Sequence, residues 1–364
     1  SQAQGNSFVL PDTWINGNGF SNNEFAEVMR SYKARCRANE ARSDAEANSS
    51  TDWSQVAADA AAGRELVILG EDSSSDTPWW DGIKSLGTEN ATWHRMHMDW
   101  IGMADQSGEY QDWLTFPIPQ RTARQITTPD LRYPAQNVDG EEGLYHRYNA
   151  TIIFRPERGT YRQSHYGDLR HDAYLNSCSF CYFGPINEII QAELDLYRAE
   201  AAFRTGDMGT TVSILNQTRV GNGGLTPLVD GGTVPTEPDG SCVPRKRYDV
   251  QGRCGDLRDA LIYEHFEEIF HESGGLEFWH GRRFDILPLN TALHMPIPAA
   301  DLEVLQESIY TFGGGGAGSA GDPTPLVVPG NLDSALERVT YSLGRIEQRR
   351  ENLQRLKTSG LVTR

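Results

Sequence analysis

The chain has 364 residues, with 33 lysines and arginines against 50 aspartates and glutamates, a formal net charge of −17. A surface of that sign repels phosphate backbones and disfavours nucleic acid as a partner. A mean hydropathy of −0.54, with no long apolar run, leaves no transmembrane helix to be read. The chain opens Ser1-Gln2-Ala3-Gln4, without a basic segment or apolar h-region. The expectation is that a signal sequence has been removed or that a preceding part lies outside this sequence.

From Asn23 to about Ala41, Phe25, Val28, Met29 and Tyr32 recur at helical spacing. Thr51 and Asp52 are natural caps for a second helix, whose face is Trp53, Val56, Ala57, Ala60 and Ala61. The two form a helical hairpin across residues 1–70, closed by Glu65–Gly70 as a strand or extended segment. Residues 71–180 change character: proline, glycine, aspartate and aromatics dominate, and one helix is expected near Asn90–Ala104. Short pieces such as Ala150–Phe154 read as extended. A long irregular insertion of this kind is where binding usually resides.

Regular helices are expected again over 181–312. One starts at Pro185 and buries Ile186, Ile189, Ile190, Leu194, Tyr197, Ala201 and Ala202 up to Arg204. After Thr205-Gly206-Asp207, a second helix carries Val212, Ile214, Leu215 and Val220 and stops at Gly221-Asn222-Gly223-Gly224, a tetratricopeptide-like pair. A further helix runs from Asp256 to about His271. Residues 313–331 are a Gly/Pro linker. In 332–364, Leu332, Leu336, Val339, Leu343, Ile346 and Leu353 mark an amphipathic helix, which docks on its own domain or makes a coiled-coil or subunit contact through 332–357.

Five cysteines are present. Cys242 and Cys254 bracket a polar segment that reads as a surface loop, and a disulfide closing it is expected. Cys178 and Cys181 form a C-x-x-C step, read as a disulfide, half of a zinc site or a redox pair. No second C-x-x-C exists, and His165 and His171 lie in a stretch unsuited to completing such a site, so no metal is expected. Cys36 is expected to be free. Disulfides would place the chain in an oxidising compartment; free thiols in a cytosolic protein are the alternative.

Several segments, in order along the chain, resemble one family. Ala199-Glu200-Ala201-Ala202-Phe203-Arg204-Thr205-Gly206-Asp207 resembles the A-E-A-x-x-R-x-G-(D/N) turn of SusD/RagB proteins, and Leu215-Asn216-Gln217-Thr218-Arg219 their L-N-x-x-R segment. Glu264 to Glu272 is similar to the E-R-x-x-E-L-x-x-E helix, with His265 at the basic position. Phe278 to Asp285 is similar to the R-W-x-D-L-x-R region in a different order. Pro296-Ile297-Pro298-Ala299-Ala300-Asp301-Leu302 resembles the closing P-I-P-x-x-E-L signature, with Asp301 for glutamate. Upstream, Thr128-Pro129-Asp130-Leu131-Arg132 resembles the D-P-R motif and Asp52-Trp53-Ser54-Gln55-Val56 the D-W-x-x-V helix opening. Family chains begin with a lipid-modified cysteine and a further helix pair, and end near Tyr310–Gly313, so the residues from Gly314 onward are an extension.

The resemblance implies a mainly α fold: SusD-like tetratricopeptide-type helix pairs carrying a long irregular loop-rich insertion. It further implies an outer-membrane surface protein, lipid-anchored, that binds oligosaccharides or other nutrients without chemistry. Its partner would be a TonB-dependent, SusC-like transporter, and no cofactor is implied. A structural subunit of a cell-surface or extracellular assembly is the alternative.

Within the residues themselves, aromatics are the strongest binding signal, because ring faces pack against the C–H groups of sugars. Trp79 and Trp80, between Pro78 and Asp81-Gly82, with Tyr110 and Trp113, are the candidate ligand contacts; Trp93 and Trp100, seven apart, are expected in the core. Asp72, Ser74 and Asp76 have calcium-loop spacing, but Thr77 and Ile83 stand at the glycine and acid positions. Gly316–Gly321 matches G-x-G-x-x-G without the strand and helix it needs, and reads as linker. Glu264, Glu267, Glu268 and Glu272 read as a solvated helix face or structural ion pairs. No G-x-S-x-G, H-E-x-x-H or P-loop pattern occurs, so no catalytic set is expected.

Overall fold

A computed structural model describes residues 7–70, 79, 95–117, 120–150, 163–172, 184–229, 233–272, 275–288, 291–293 and 297–307. The expected C-terminal helix, the Gly/Pro linker, the C-x-x-C step, the Asp72–Asp76 loop, Trp80, Trp93 and residues 151–154 lie outside them. Among the described residues the chain is helix-rich, with three small two-stranded sheets and no barrel.

Helix α1 (Asn22–Ala38) starts at a capping box. Ser21 Oγ accepts from the Glu24 amide, and Glu24 Oε2 accepts from the Ser21 amide at 2.9 Å. The turn expected before the second helix holds a helix of its own, α2 (Asp44–Ser50), capped by Ser43. Helix α3 (Trp53–Ala61) is capped by Asp52, as its sequence suggests. The Trp53 indole N–H donates to Ala47 O at 2.7 Å and so joins α2 to α3.

The helix expected from Pro185 begins later. Gly184–Ile189 is a strand, β6, antiparallel to β3 (Leu66–Gly70), with Ile68 facing Ile186 and Leu66 facing Ile189. β-branched isoleucines suit a strand, and a two-stranded sheet leaves an open edge where a proline without an N–H does no harm. Helix α6 then spans Gln191–Thr205. It ends at Gly206, whose φ of 86° favours a residue without Cβ, and Asp207 immediately caps α7 (Met208–Gly221). The Gly-Asp pair is thus a stop and a start for two helices.

Two cores meet on α6. Leu194, Tyr197 and Ala201 pack with α1, α2 and α3, whereas Leu196 and Ala199 join a larger cluster with α7 and α8 (Leu257–Ile269). Short pieces border that cluster: α4 (Met98–Ile101), α5 (Glu109–Thr115), and the antiparallel strands β4 (His146–Tyr148) and β5 (Tyr166–Asp168). The helix expected over Asn90–Ala104 is therefore a single turn at Met98–Ile101 where described. Trp100 is half-buried and stacks on Phe266 at 4.5 Å. Helices α9 (Leu276–Arg283) and α10 (Ala299–Leu305) follow, the last beginning just after Pro298. A short pair, β1 (Val9–Leu10) with β2 (Phe20–Ser21), precedes α1.

The Cys242–Cys254 disulfide is formed, and Cys36 is a free, exposed thiol. The bridge closes a loop of 12 residues' separation in a segment without regular structure. Replacing both cysteines by serine is expected to lower unfolding free energy by about 2–4 kcal/mol. Urea unfolding of oxidised wild type and the double variant reads that difference; equal midpoints would show that the loop is held by other contacts alone.

Candidate functional site

Arg132 is heavily bonded in the interior. Its guanidinium meets Asp130 (Nη2 to Oδ2, 2.7 Å), Glu264 (Nη1 to Oε2, 2.9 Å) and Glu268 (Nη1 to Oε1, 3.0 Å). Asp130 and Arg132 come from a loop, and the glutamates lie one turn apart on α8. The Tyr263 hydroxyl donates to Asp130, Tyr145 to Glu268, and Thr218 to Glu264, each at 2.7 Å. Beside them Glu267 accepts from Tyr133 and pairs with His146 Nε2 at 3.0 Å. Burial pushes the Asp130 carboxyl up, but the charge of Arg132 outweighs it and holds Asp130 below its ordinary value. For Glu264 burial wins and the carboxyl is raised. The glutamates of α8 are thus structural ion pairs, and the solvated-face reading of them is corrected: all three are buried. Each oxygen faces a guanidinium, a hydroxyl or an imidazole, which favours fixing the loop over chemistry.

A second buried cluster centres on Glu200 of α6. Arg283 Nε donates to both its oxygens at 3.0 and 2.9 Å, and Arg204 Nε to Oε1 at 2.8 Å. Arg204 continues to Asp44 and Asn48 of α2, with its guanidinium 5.0 Å from the Trp53 ring. His265 and His280 stack against each other at 4.0 Å beside this group. Burial, then the charge of Arg283, holds His265 down to about 3; burial, then His265 and Arg283, holds His280 well below its ordinary range.

The aromatic candidates separate. Tyr110 and Trp113 are 0 % exposed, with stacked rings 5.9 Å apart on α5. Arg121 covers the Trp113 ring at 4.4 Å, and Gly102 lies so close to Tyr110 that a Cβ there would stand 2.1 Å from the ring. These two are core residues with no face for a ligand, which corrects the expectation for them; the spacing Tyr-x-x-Trp is that of a buried helix face. Trp79 is half-buried, and Trp80 is outside the described residues.

An open cleft of about 580 Å³ lies between the end of α1 and the start of α9, lined by Arg35, Cys36, Arg37, Asn39, Glu40, Leu276 and Trp279. Arg35 is fixed by Glu188 and Glu193, each at 2.7 Å, and Asp59 holds Arg37. Trp279 is half-buried, with the Arg282 guanidinium 4.5 Å from its ring. Arg282 is itself anchored to Asn39 O, Ala41 O and Leu293 O. One ring, two placed guanidiniums, an amide and a carboxylate in a cleft of this size suit a small polar ligand with apolar faces. A neighbouring cavity of about 90 Å³ lined by Trp100, Phe266 and Pro288 is too small for one. In the sequence Trp279 stands in the segment Phe278–Asp285 with nothing to mark it as lining a cleft beyond a ring followed by His280 and two arginines.

Comparison with known proteins finds no matching family, no matching curated protein and no matching solved structure.

The buried histidine pair sets a pH dependence. In the unfolded chain each takes up a proton near about 6.5, and in the fold neither does until far lower pH. Stability from this pair is therefore full above about pH 6.5 and falls as pH drops, by up to about 1.4 kcal/mol per unit per histidine. Urea unfolding at pH 7 and 5 is expected to show the loss, with a shallower dependence in His280→Gln; a flat profile in the wild type would contradict it.

Proposed function

We propose that this chain is a SusD/RagB-type protein, a tetratricopeptide-type helical scaffold at the outer-membrane surface. It binds oligosaccharides or related nutrients, without chemistry, for a TonB-dependent, SusC-like transporter. The observation that carries the reading is where the resembling segments meet. Asp130 and Arg132 of the D-P-R-like segment bond to Glu264 and Glu268 of the E-x-x-x-E-like helix, and Thr218 of the L-N-x-x-R-like segment bonds to Glu264. Glu200 of the A-E-A-like turn is held by Arg283 of the segment after Trp279. Motifs quoted separately from the sequence are thus halves of the same buried contacts, which is what shared scaffold residues require.

The cleft at Trp279 supports the binding half of the proposal. In this reading a sugar ring stacks on the Trp279 indole, with the half-buried Arg37 and the exposed Glu40 as the polar groups beside it. Binding of soluble oligosaccharides, screened on a glycan array and measured by calorimetry, tests it. Trp279→Ala is expected to weaken the best ligand at least about tenfold, the loss of one desolvated ring contact. No glycan binding by the wild type, or binding indifferent to Trp279→Ala, would remove this cleft as the nutrient site.

A further inference from the structure

Five side chains gather at the C-terminal end of α8: Asp168, Arg170, His171, His271 and Glu272. Arg170 makes the junction. Its guanidinium donates to the Glu268 carbonyl at 2.8 Å and to the Phe270 carbonyl, two acceptors that the helix end leaves over. That pins the turn after β5 onto the turn after α8 and brings residues 103 apart in sequence into contact.

Arg170 also decides which carboxylate oxygens face inward. It takes Asp168 Oδ1 at 3.2 Å and Glu272 Oε1 at 3.5 Å. The other oxygen of each turns to the imidazoles. His271 Nδ1 lies 3.0 Å from Asp168 Oδ2, and His171 Nε2 lies 3.8 Å from that same oxygen and 3.7 Å from Glu272 Oε2. One ligand atom from each of Asp168, His171 and His271 falls within 4.8 Å of the others, and all three residues are buried. The imidazole planes stand at 89° with centroids 5.1 Å apart, edge to face rather than stacked.

We propose that Asp168 Oδ2, His171 Nε2 and His271 Nδ1 bind a divalent transition-metal ion, zinc foremost, with Glu272 beside His171 at the edge of the site. A tetrahedral zinc with bonds of about 2.0–2.1 Å sets its ligand atoms roughly 3.3 Å apart. Asp168 Oδ2 lies 3.0 Å from His271 Nδ1 and 3.8 Å from His171 Nε2, distances that bracket that spacing, and the two imidazole nitrogens lie within 4.8 Å of each other. Two imidazoles and a carboxylate are a donor set that zinc accepts, and Glu272 has to move closer to complete the four ligands of a closed site. Arg170 is the outer partner that orients both carboxylates. His271 adds a separate sign: its backbone is left-handed, φ 60°, and its amide is tied to Glu277 Oε1 at 2.6 Å. A non-glycine residue held there costs of order 1 kcal/mol, and such positions gather at functional sites.

The other buried cluster, Glu200 with His265 and His280, has comparable spacing and is not a rival. Both oxygens of Glu200 are engaged by arginines, so a dication would join two guanidiniums around one carboxylate. Around Asp168 two carboxylates face a single guanidinium, and a dication meets net negative charge.

The test uses the full chain without an affinity tag, stripped with a chelator and dialysed. Zinc or cobalt is added, and the metal kept after desalting is measured by mass spectrometry. About one equivalent is expected, with a cobalt visible spectrum of low coordination number and a melting temperature that rises with zinc. His171→Gln and His271→Gln should each weaken retention at least about tenfold, while His280→Gln should bind as the wild type does. Wild type that keeps no metal and shows no zinc-dependent melting shift overturns the proposal. So does retention unchanged in both His171→Gln and His271→Gln, or retention lost in His280→Gln alone. Because the wild-type readings need no variant, a variant that fails to fold leaves the test intact.

Discussion

The interior is organised around a guanidinium that has no water to turn to. Arg132 is fully buried, and Asp130, Glu264 and Glu268 close around it. Burying such charges is costly, and the cost is met only if every donor and acceptor finds a partner in good geometry. Here they do, through Tyr263, Tyr145, Thr218 and Asn222. Because partial satisfaction is worse than none, the loop carrying Asp130 and Arg132 has one acceptable position against α8. Part of the described irregular region follows from that position. The Arg132 carbonyl accepts from the Tyr145 and His146 amides, which sets up β4; β4 pairs with β5; and β5 delivers Asp168 and Arg170 to the end of α8.

Local signals in the sequence are legible where a local interaction decides the structure. Asp52 and Asp256 cap their helices, Gly206-Asp207 ends one helix and begins the next, and the Cys242–Cys254 bridge spans a short loop. Reading fails where a distant partner decides. Ile186 and Ile189 fit a helical period, yet β3 pairs them into a strand more than a hundred residues later. Tyr110 and Trp113 stand in a segment rich in glycine and proline, and nothing nearby reveals that Gly102 and Arg121 close over their rings. His171 lies in a stretch that reads as unsuited to a metal site, because His271 and Glu272, which meet it, are about a hundred residues away. For Glu264, Glu267, Glu268 and Glu272 the sequence allows a solvated face or structural ion pairs, and only the distant partners Arg132, His146 and Arg170 decide for ion pairs.

The buried networks and the open cleft have different chemistry. Inside, carboxylates sit against guanidiniums, tyrosines and imidazoles, an arrangement that holds elements in register. At the cleft, Arg35 and Arg37 are held by Glu188, Glu193 and Asp59, and Trp279 packs against Arg282, so its lining is fixed in place. Preorganised groups bind with less ordering cost, which suits a protein proposed to hold a nutrient and pass it on.

The central claim is delivery to a transporter, and partner capture tests it most directly. The native protein is captured from the membranes of its source, and what comes with it is identified and quantified by mass spectrometry. A large TonB-dependent barrel in about equal amount is the expected result. Recovery of the protein alone, or with unrelated surface subunits, would contradict it and favour an assembly role for the same scaffold.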